Sequence, residues 1–505
     1  MTLRKNITTI LFAALAACML TACFSDDTTN GDRPLCEITI DEASVKTVYN
    51  IYKNETLTIT PVCSQTNGNL PLTYTWEIGQ EVYSHEPQLT FVGKELGSWQ
   101  CRLIVENEDG KTFFPFKLNV NSPYEEGITI LSCDPQGKPM LSFMQEPEDG
   151  QKAEFYDYDC FAINNPDEHM ASYPADIVQS GGSLIIACQG AGTASDVPTI
   201  YYLNEKTMVT ENIVTVKEFP DFKPTILGIP SMDASGVAYP ILCENGNTYE
   251  FSTTEGAIVK PTKLKYTYAQ NMIVRDNGTG NNYELLLWDN EIGGLLQIYN
   301  GYGPYYCSKT YHLTREKCNG TENYFDGRTL CKMVLVRMTD EQAKTNDPQA
   351  LVIAKTATGL VQKVVVNTSF WKYNFDTAET VLADNGGVKM ANINTCPVSE
   401  TTPAIANMTY YSMLYADGNK VMRWNYTTSQ LMNKADVLQT VGSDNAIITG
   451  FEISPDHKRT YVAFYEPSQQ GKNGSLWVID TDKGTILEKH DNIAYRPVRM
   501  IYKKK

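Results

Sequence analysis

The sequence predicts an all-β protein: a small β-sandwich over residues 34–121, then a β-propeller, read as seven-bladed, over residues 127–505. Three observations predict it. Short segments after residue 34 alternate apolar and polar residues with period two. From Gly127 onward, strands of five to seven residues, separated by Gly, Asn, Asp and Pro, recur as a four-strand unit. No long stretch shows the 3.6-residue periodicity of an amphipathic helix.

The first 22 residues are set apart from this pattern. Arg4 and Lys5 precede a mostly apolar run from Ile7 to Ala22, 16 residues long. That is short of the ~20 a membrane-spanning helix needs, and its position is that of a secretory signal. It ends Leu20-Thr21-Ala22-Cys23, which resembles the lipobox of bacterial lipoproteins. The resemblance implies cleavage before Cys23 and acylation of that cysteine as the lipid anchor, with palmitate among the expected chains. More than one acyl chain gives stable membrane attachment. Phe24-Ser25-Asp26-Asp27 resembles the surface-export signal of Bacteroidetes lipoproteins, and residues 23–33 read as an acidic tether.

Composition excludes some classes. The 505 residues carry 42 basic and 59 acidic side chains, a net charge of −17; removing residues 1–22 leaves 40 against 59, or −19. A chain this acidic repels phosphate backbones, so nucleic acid is not an expected partner. Lys503-Lys504-Lys505, the one basic cluster, reads as a solvated tail. Of 13 cysteines, eleven follow residue 23, an odd and sparse set rather than a disulfide scaffold. Most read as small apolar strand residues.

Within residues 34–121, strands are read at Thr56–Thr60, Leu72–Ile78, Trp99–Val105 and Phe114–Val120, with a turn at Asn107-Glu108-Asp109-Gly110. Cys63, Trp76 and Cys101 occur in the order seen in immunoglobulin-type sandwiches, with Trp99 two residues before Cys101. That resemblance implies a Cys63–Cys101 disulfide beneath a buried Trp76. Tyr74-Thr75-Trp76-Glu77-Ile78-Gly79, Leu96-Gly97-Ser98-Trp99 and Val105-Glu106-Asn107 together resemble a PKD domain. Glu77 departs from the family's usual aspartate. With the lipobox, these residues resemble the PKD-like lipoproteins of Bacteroidetes found beside starch-utilisation-type transporters. In that family such domains serve as spacers or contact modules.

Over residues 127–505 the clearest unit is Ile447–Ile453, Thr460–Tyr465, Leu476–Ile479 and Thr485–Glu488. Consecutive apolar positions in these strands suit sheets packed on both faces, as propeller blades are. Ile241–Asn247 and Met413–Asn419 are the same strand-turn element. Their glycines stand 172 residues apart, three steps of about 57 or four of 43. Other units begin near Gly127, Gly181, Asn282 and Leu330. A pair of β-sandwiches is the competing architecture.

The nucleophile elbow, the H-E-x-x-H zinc motif, the P-loop and the dinucleotide fingerprint are all missing from the sequence. No catalytic residue, metal or cofactor is therefore assigned. His457 and His490 read as surface residues. Asp157-Tyr158-Asp159 and Asp480-Thr481-Asp482 read as turn chemistry rather than calcium loops. The binding candidates are aromatic: Tyr302, Tyr305 and Tyr306 in one loop, and Trp371 in a second cluster. The expectation is a non-enzymatic, surface-exposed outer-membrane lipoprotein. It would bind a glycan, a peptide or a partner transporter or substrate-binding lipoprotein in nutrient acquisition. The alternatives are a propeller hydrolase or lyase acting on polysaccharide, and an adhesin.

Overall fold

The computed structural model describes residues 34–505 except 147–152, 229–237, 253–255, 260–266, 277–282, 292, 301–308, 313–326, 347, 368–370, 375–378, 383–388, 393–395, 429–431 and 433–434. The chain divides into two compact units, residues 1–122 and 123–505. Almost all regular structure is β. The two described helices, α1 (Cys160–Asn164) and α2 (Asp340–Ala343), are single turns.

The first unit holds β1 (Ile38–Ile40), β2 (Val48–Tyr52), β3 (Thr56–Ile59), β4 (Cys63–Gln65), β5 (Thr73–Ile78), β6 (Glu81–Ser84), β7 (Leu89–Val92), β8 (Gly97–Asn107) and β9 (Gly110–Asn121). A five-stranded sheet, β2-β9-β8-β5-β6, shares one apolar core with the pairs β3-β7 and β1-β4. Trp76 is fully buried in that core. Its indole N–H donates to the Glu86 carbonyl at 2.9 Å, and its ring meets Phe116 edge-on at 6.1 Å. Gly79 and Gln80, both with positive φ (62° and 73°), turn β5 into β6. A side chain at Gly79 would meet the Trp99 indole at 2.9 Å, so this glycine serves both the turn and the packing. Glu77 lies opposite Arg102 on β8 and pairs with it at 2.7 Å.

The expected Cys63–Cys101 disulfide is not formed; both are free thiols. Register explains why. Cys63 is paired with Ile40 in the small β1-β4 sheet, and its sulfur meets the Tyr74 hydroxyl. Tyr74 lies opposite Val105, whereas Cys101 lies opposite Ile78 and donates to the Trp99 carbonyl. The two cysteines thus lie on different strand pairs, each sulfur engaged with a different partner.

Among the described residues, the second unit holds five four-stranded antiparallel sheets, a two-stranded hairpin and one eight-stranded sheet, whose two antiparallel four-stranded halves are joined by a two-residue parallel pairing and are described separately as sheets 5 and 6. Sheet 1 comprises β10 (Gly127–Cys133), β11 (Pro139–Gln145) and β12 (Glu154–Asp157), completed by a strand from the far end of the chain. Sheet 2 is β13 (Pro174–Ser180), β14 (Ser183–Cys188), β15 (Thr199–Asn204) and β16 (Thr210–Thr215). Sheet 3 is β17 (Pro224–Leu227), β18 (Ala238–Cys243), β19 (Thr248–Ser252) and β20 (Ala257–Val259). Sheet 4 is β21 (Tyr268–Asp276), β22 (Tyr283–Asp289), β23 (Gly294–Asn300) and β24 (Lys309–His312). Sheet 5 has β25 (Arg328–Arg337), β26 (Gln349–Thr356), β27 (Val361–Asn367) and β30 (Lys389–Asn392), interrupted by the hairpin β28 (Trp371–Asn374) and β29 (Glu379–Leu382). Sheet 6 is β31 (Ala404–Asn407), β32 (Ser412–Asp417), β33 (Lys420–Asn425) and β34 (Asp436–Thr440). Sheet 7 is β35 (Ile447–Ile453), β36 (Arg459–Tyr465), β37 (Gly474–Asp480) and β38 (Ile486–Ala494). The last strand, β39 (Arg496–Lys503), pairs with β10 and finishes sheet 1.

These sheets form a ring. The first strands touch in the order β39, β13, β17, β21, β25, β31, β35 and back to β39. Apolar clusters fill the gaps between successive sheets all the way round, the sheet 7 to sheet 1 gap included. Each sheet is therefore buried on both faces, which is why β14 and β37 carry consecutive buried positions. The two similar strand-turn elements are β18 and β32, second strands of sheets 3 and 6, so the 172-residue interval is three steps. Lys503 is not in a solvated tail: it is buried in β39, its Nζ donating to the Glu125 carbonyl at 2.6 Å.

Candidate functional site

The first strands bring charged side chains to the middle of the ring. Asp176 on β13 is buried; its Oδ1 lies 3.1 Å from Arg499 Nε on β39, and its Oδ2 accepts the Leu227 N–H of β17 at 2.8 Å. Three sheets are tied by one carboxylate. Burial pushes its pKa up, against the opposing pull of Arg499 and two backbone N–H groups. The Arg499 side chain keeps 55% of its surface exposed, so this part of the ring is open to solvent.

On the other side stands Lys332 of β25, a buried lysine within an apolar strand. Its Nζ donates to the Glu400 carbonyl at 2.6 Å. The Glu400 carboxylate reaches the Gln270 N–H of β21 at 2.8 Å. Gln270 in turn accepts from Thr225 of β17 and donates to the Cys243 carbonyl, both at 2.8 Å. Glu400 lies between sheets 5 and 6, and Gln270 lies in sheet 4. Their contact passes sheet 5 and brings the turn before sheet 6 against the first strand of sheet 4. Burial first, then the Arg499 charge, lowers the Lys332 pKa to about 8, while Glu400 opposes the shift. Sheets 1 and 5 are not neighbours in the ring, yet the Arg499 charge acts on the Lys332 ammonium.

A second polar group occupies the edge where the first strands end. There Tyr461 donates to Glu146 at 2.9 Å, Arg459 pairs with the same carboxylate, and Tyr502 donates to Glu126 at 2.8 Å. Arg337 pairs with Glu452 at 3.4 Å. His457 sits here too and is buried, not at the surface. Its φ of 61° turns the hairpin between β35 and β36, and the ring is folded inward against the Thr409 hydroxyl, 2.7 Å from Nδ1. Burial and the Arg337 charge hold its pKa below the ordinary 6.5.

Tyr302, Tyr305 and Tyr306 lie outside the described residues, as does Cys23. Trp371 opens β28, and its side chain is likewise outside them. The strands flanking these aromatics are informative. Asn300 ends β23 opposite Tyr283, and Asn367 ends β27 opposite Gln349. Both strand ends fall on the same edge of the ring as Arg337, Tyr461 and Glu146. Asp480 accepts the N–H groups of Asp482 and Lys483, at 3.0 and 2.8 Å, a turn built by its own side chain. Asp159 caps α1 through the Ala162 N–H. The axial residues Asp176, Lys332, Glu400 and Arg499 were not singled out from sequence. The available signal was a charged residue interrupting an apolar strand, as Lys332 does in Leu330-Cys331-Lys332-Met333-Val334.

No protein-family model matches the sequence, and no curated protein does. Among solved structures, the chain is similar to a quinonprotein alcohol dehydrogenase-like protein from Bacteroides thetaiotaomicron, at 15% identity over 92% of this chain and 99% of that one, TM-score 0.43. It is also similar to AztD from Citrobacter koseri, at 9% identity over 74% of this chain and 96% of that one, TM-score 0.41. A DUF4784 family protein from Bacteroides caccae shares 8% identity over 92% of this chain and 97% of that one, TM-score 0.26. At these values the likeness adds nothing to the strand order, on which the ring architecture rests.

Proposed function

We propose that this chain is a surface lipoprotein of the outer membrane, anchored through Cys23. In this reading a PKD-like sandwich spaces a seven-bladed propeller from the bilayer, and the propeller binds an extracellular ligand bearing an anionic group. The observation that carries the ligand class is the buried Lys332 ammonium, which the charge of Arg499 on a non-adjacent sheet acts upon. Two cations that repel one another, one of them buried, are relieved by an anion placed near both. An acidic glycan or an acidic peptide fits, delivered to a neighbouring transporter or substrate-binding lipoprotein.

Titration calorimetry with uronate oligosaccharides, acidic peptides and their neutral counterparts tests this. Binding of an acidic ligand, weakened at least tenfold in both Lys332→Met and Arg499→Met, supports it. Equal binding of acidic and neutral ligands sinks the ligand class. Incorporation of labelled palmitate, lost in Cys23→Ala, tests the anchor separately.

One observation favours a second reading, a lyase or hydrolase. A lysine with a pKa near 8 is poised to exchange a proton at neutral pH. Turnover of an acidic polysaccharide that disappears in Lys332→Met would select it over binding alone.

A further inference from the structure

Cys331 and Cys396 stand apart from the other cysteines. Their thiols are hydrogen-bonded to each other, and both pack against the apolar cluster between sheets 5 and 6. The backbone puts them there. Leu330 pairs with Ala354 and Lys332 with Ile353, so Cys331 is the extra residue of a β-bulge in β25. Leu330 and Met333 pack on the sheet 4 side, whereas Cys331 and Val334 pack on the sheet 6 side. The bulge thus gives Lys332 to neither face, and turns Cys331 toward the segment that leaves β30. Cys396 begins the described part of that segment, with its sulfur 3.3 Å from the Val398 carbonyl.

We propose that Cys331 and Cys396 form an intramolecular disulfide that staples sheet 5 closed and fixes Glu400 over the ring. The bond would join the first strand of the sheet to the chain leaving its last, 65 residues apart. It lies one residue from Lys332 and four from Glu400, so oxidation would stiffen the axial site. The oxidant is an external disulfide. The Cys331 thiolate attacks it and expels one thiol; the Cys396 thiolate then attacks the Cys331 sulfur of the mixed disulfide and expels the second. Two thiols and one disulfide become one disulfide and two thiols, with the protons carried by the leaving sulfurs.

The order of attack is built in. The hydrogen bond from Cys396 and the nearby Lys355 charge push the Cys331 thiol down. Burial pushes those of Cys63, Cys101, Cys133, Cys160, Cys188 and Cys243 up. The inference stands on this geometry and not on the identity of any ligand.

The test is a non-reducing peptide map of the full chain after equilibration with glutathione disulfide and alkylation with iodoacetamide. The expected result is the tryptic peptide Thr329–Lys332 joined to Met390–Lys420, two hydrogens lighter than their sum and separated by reductant. Oxidised protein should also melt about 5 °C above the same protein reduced, the direction expected when a long loop is closed. That comparison needs no variant to fold. In Cys331→Ser, Cys396 should become fully alkylated. Complete alkylation of both cysteines in oxidised wild type overturns the proposal, as does Cys396 joined to Cys307 or Cys318.

Discussion

Arg499, on the strand that finishes sheet 1, lies 3.1 Å from Asp176 of sheet 2, while the same carboxylate receives a backbone N–H from sheet 3. The pair sits at the seam where the two ends of the second unit meet. A buried carboxylate without its partners is far costlier than the pair is beneficial. The contact is therefore a lock on closure as well as part of the site.

Asp176→Ala should lower the stability of the second unit by about 3 kcal/mol, because it strands two backbone donors and Arg499 together. Equilibrium urea unfolding followed by tryptophan fluorescence measures this. Asp176→Asn, which keeps an acceptor, should cost clearly less. Equal losses would show that the carboxylate's hydrogen bonds are irrelevant.

Trp76→Ala should cost the first unit about 4 kcal/mol, the range for removing a fully buried large aromatic. In calorimetry the transition of residues 34–122 should move down or vanish. The transition of the second unit should stay within a degree of wild type.

Stability should rise with pH between about 8 and 9. Burial holds Lys332, Lys363 and Lys503 at about 8, below the ordinary 10.5. Above pH 8 the unfolded chain therefore binds more protons than the folded one, and raising pH favours folding. Above pH 9 the thiols of Cys101, Cys133 and Cys243, pushed up to about 11, 11 and 12, oppose the lysines and flatten the slope. A Tm profile that is flat from pH 7.5 to 9 contradicts this, as does an unchanged rise in the triple Lys→Met variant. In acid His457 acts with the same sign as the lysines. Its folded pKa lies below 6.5, so stability is lost as pH falls through that value.

Alkylation in denaturant without reductant should modify both Cys63 and Cys101. Recovery of a Cys63–Cys101 crosslinked peptide would mean that β1-β4 sits in a different register from the one described here.

Much of this architecture was legible in the sequence. Period-two text marked β3, β5, β8 and β9, and apolar runs marked β35 to β38, because burial on one face or on two leaves different patterns. What escaped notice depends on three-dimensional neighbours. Cys63 and Cys101 follow the spacing of a bridged pair, yet β4 pairs with β1 and carries Cys63 away along the sheet. His457 lies in a hairpin turn, normally exposed, but the positive φ folds its ring inward. Lys503 looked like part of a charged tail because nothing local reveals that β10 lacks its neighbour. Lys332 gains significance only from Glu400 and from the charge of Arg499, which lies 167 residues away in sequence.

Pairing of Gly127 with Lys503 carries a kinetic consequence. Until β39 arrives, one edge of β10 offers unsatisfied backbone groups and apolar side chains to any passing strand. The circle cannot be shut by a growing chain from its early segments alone, so some 370 residues stay in an open arc until β39 is made. Such a molecule is exposed to misassembly until its last strand is made and, once sealed, would resist unravelling from either end of the ring.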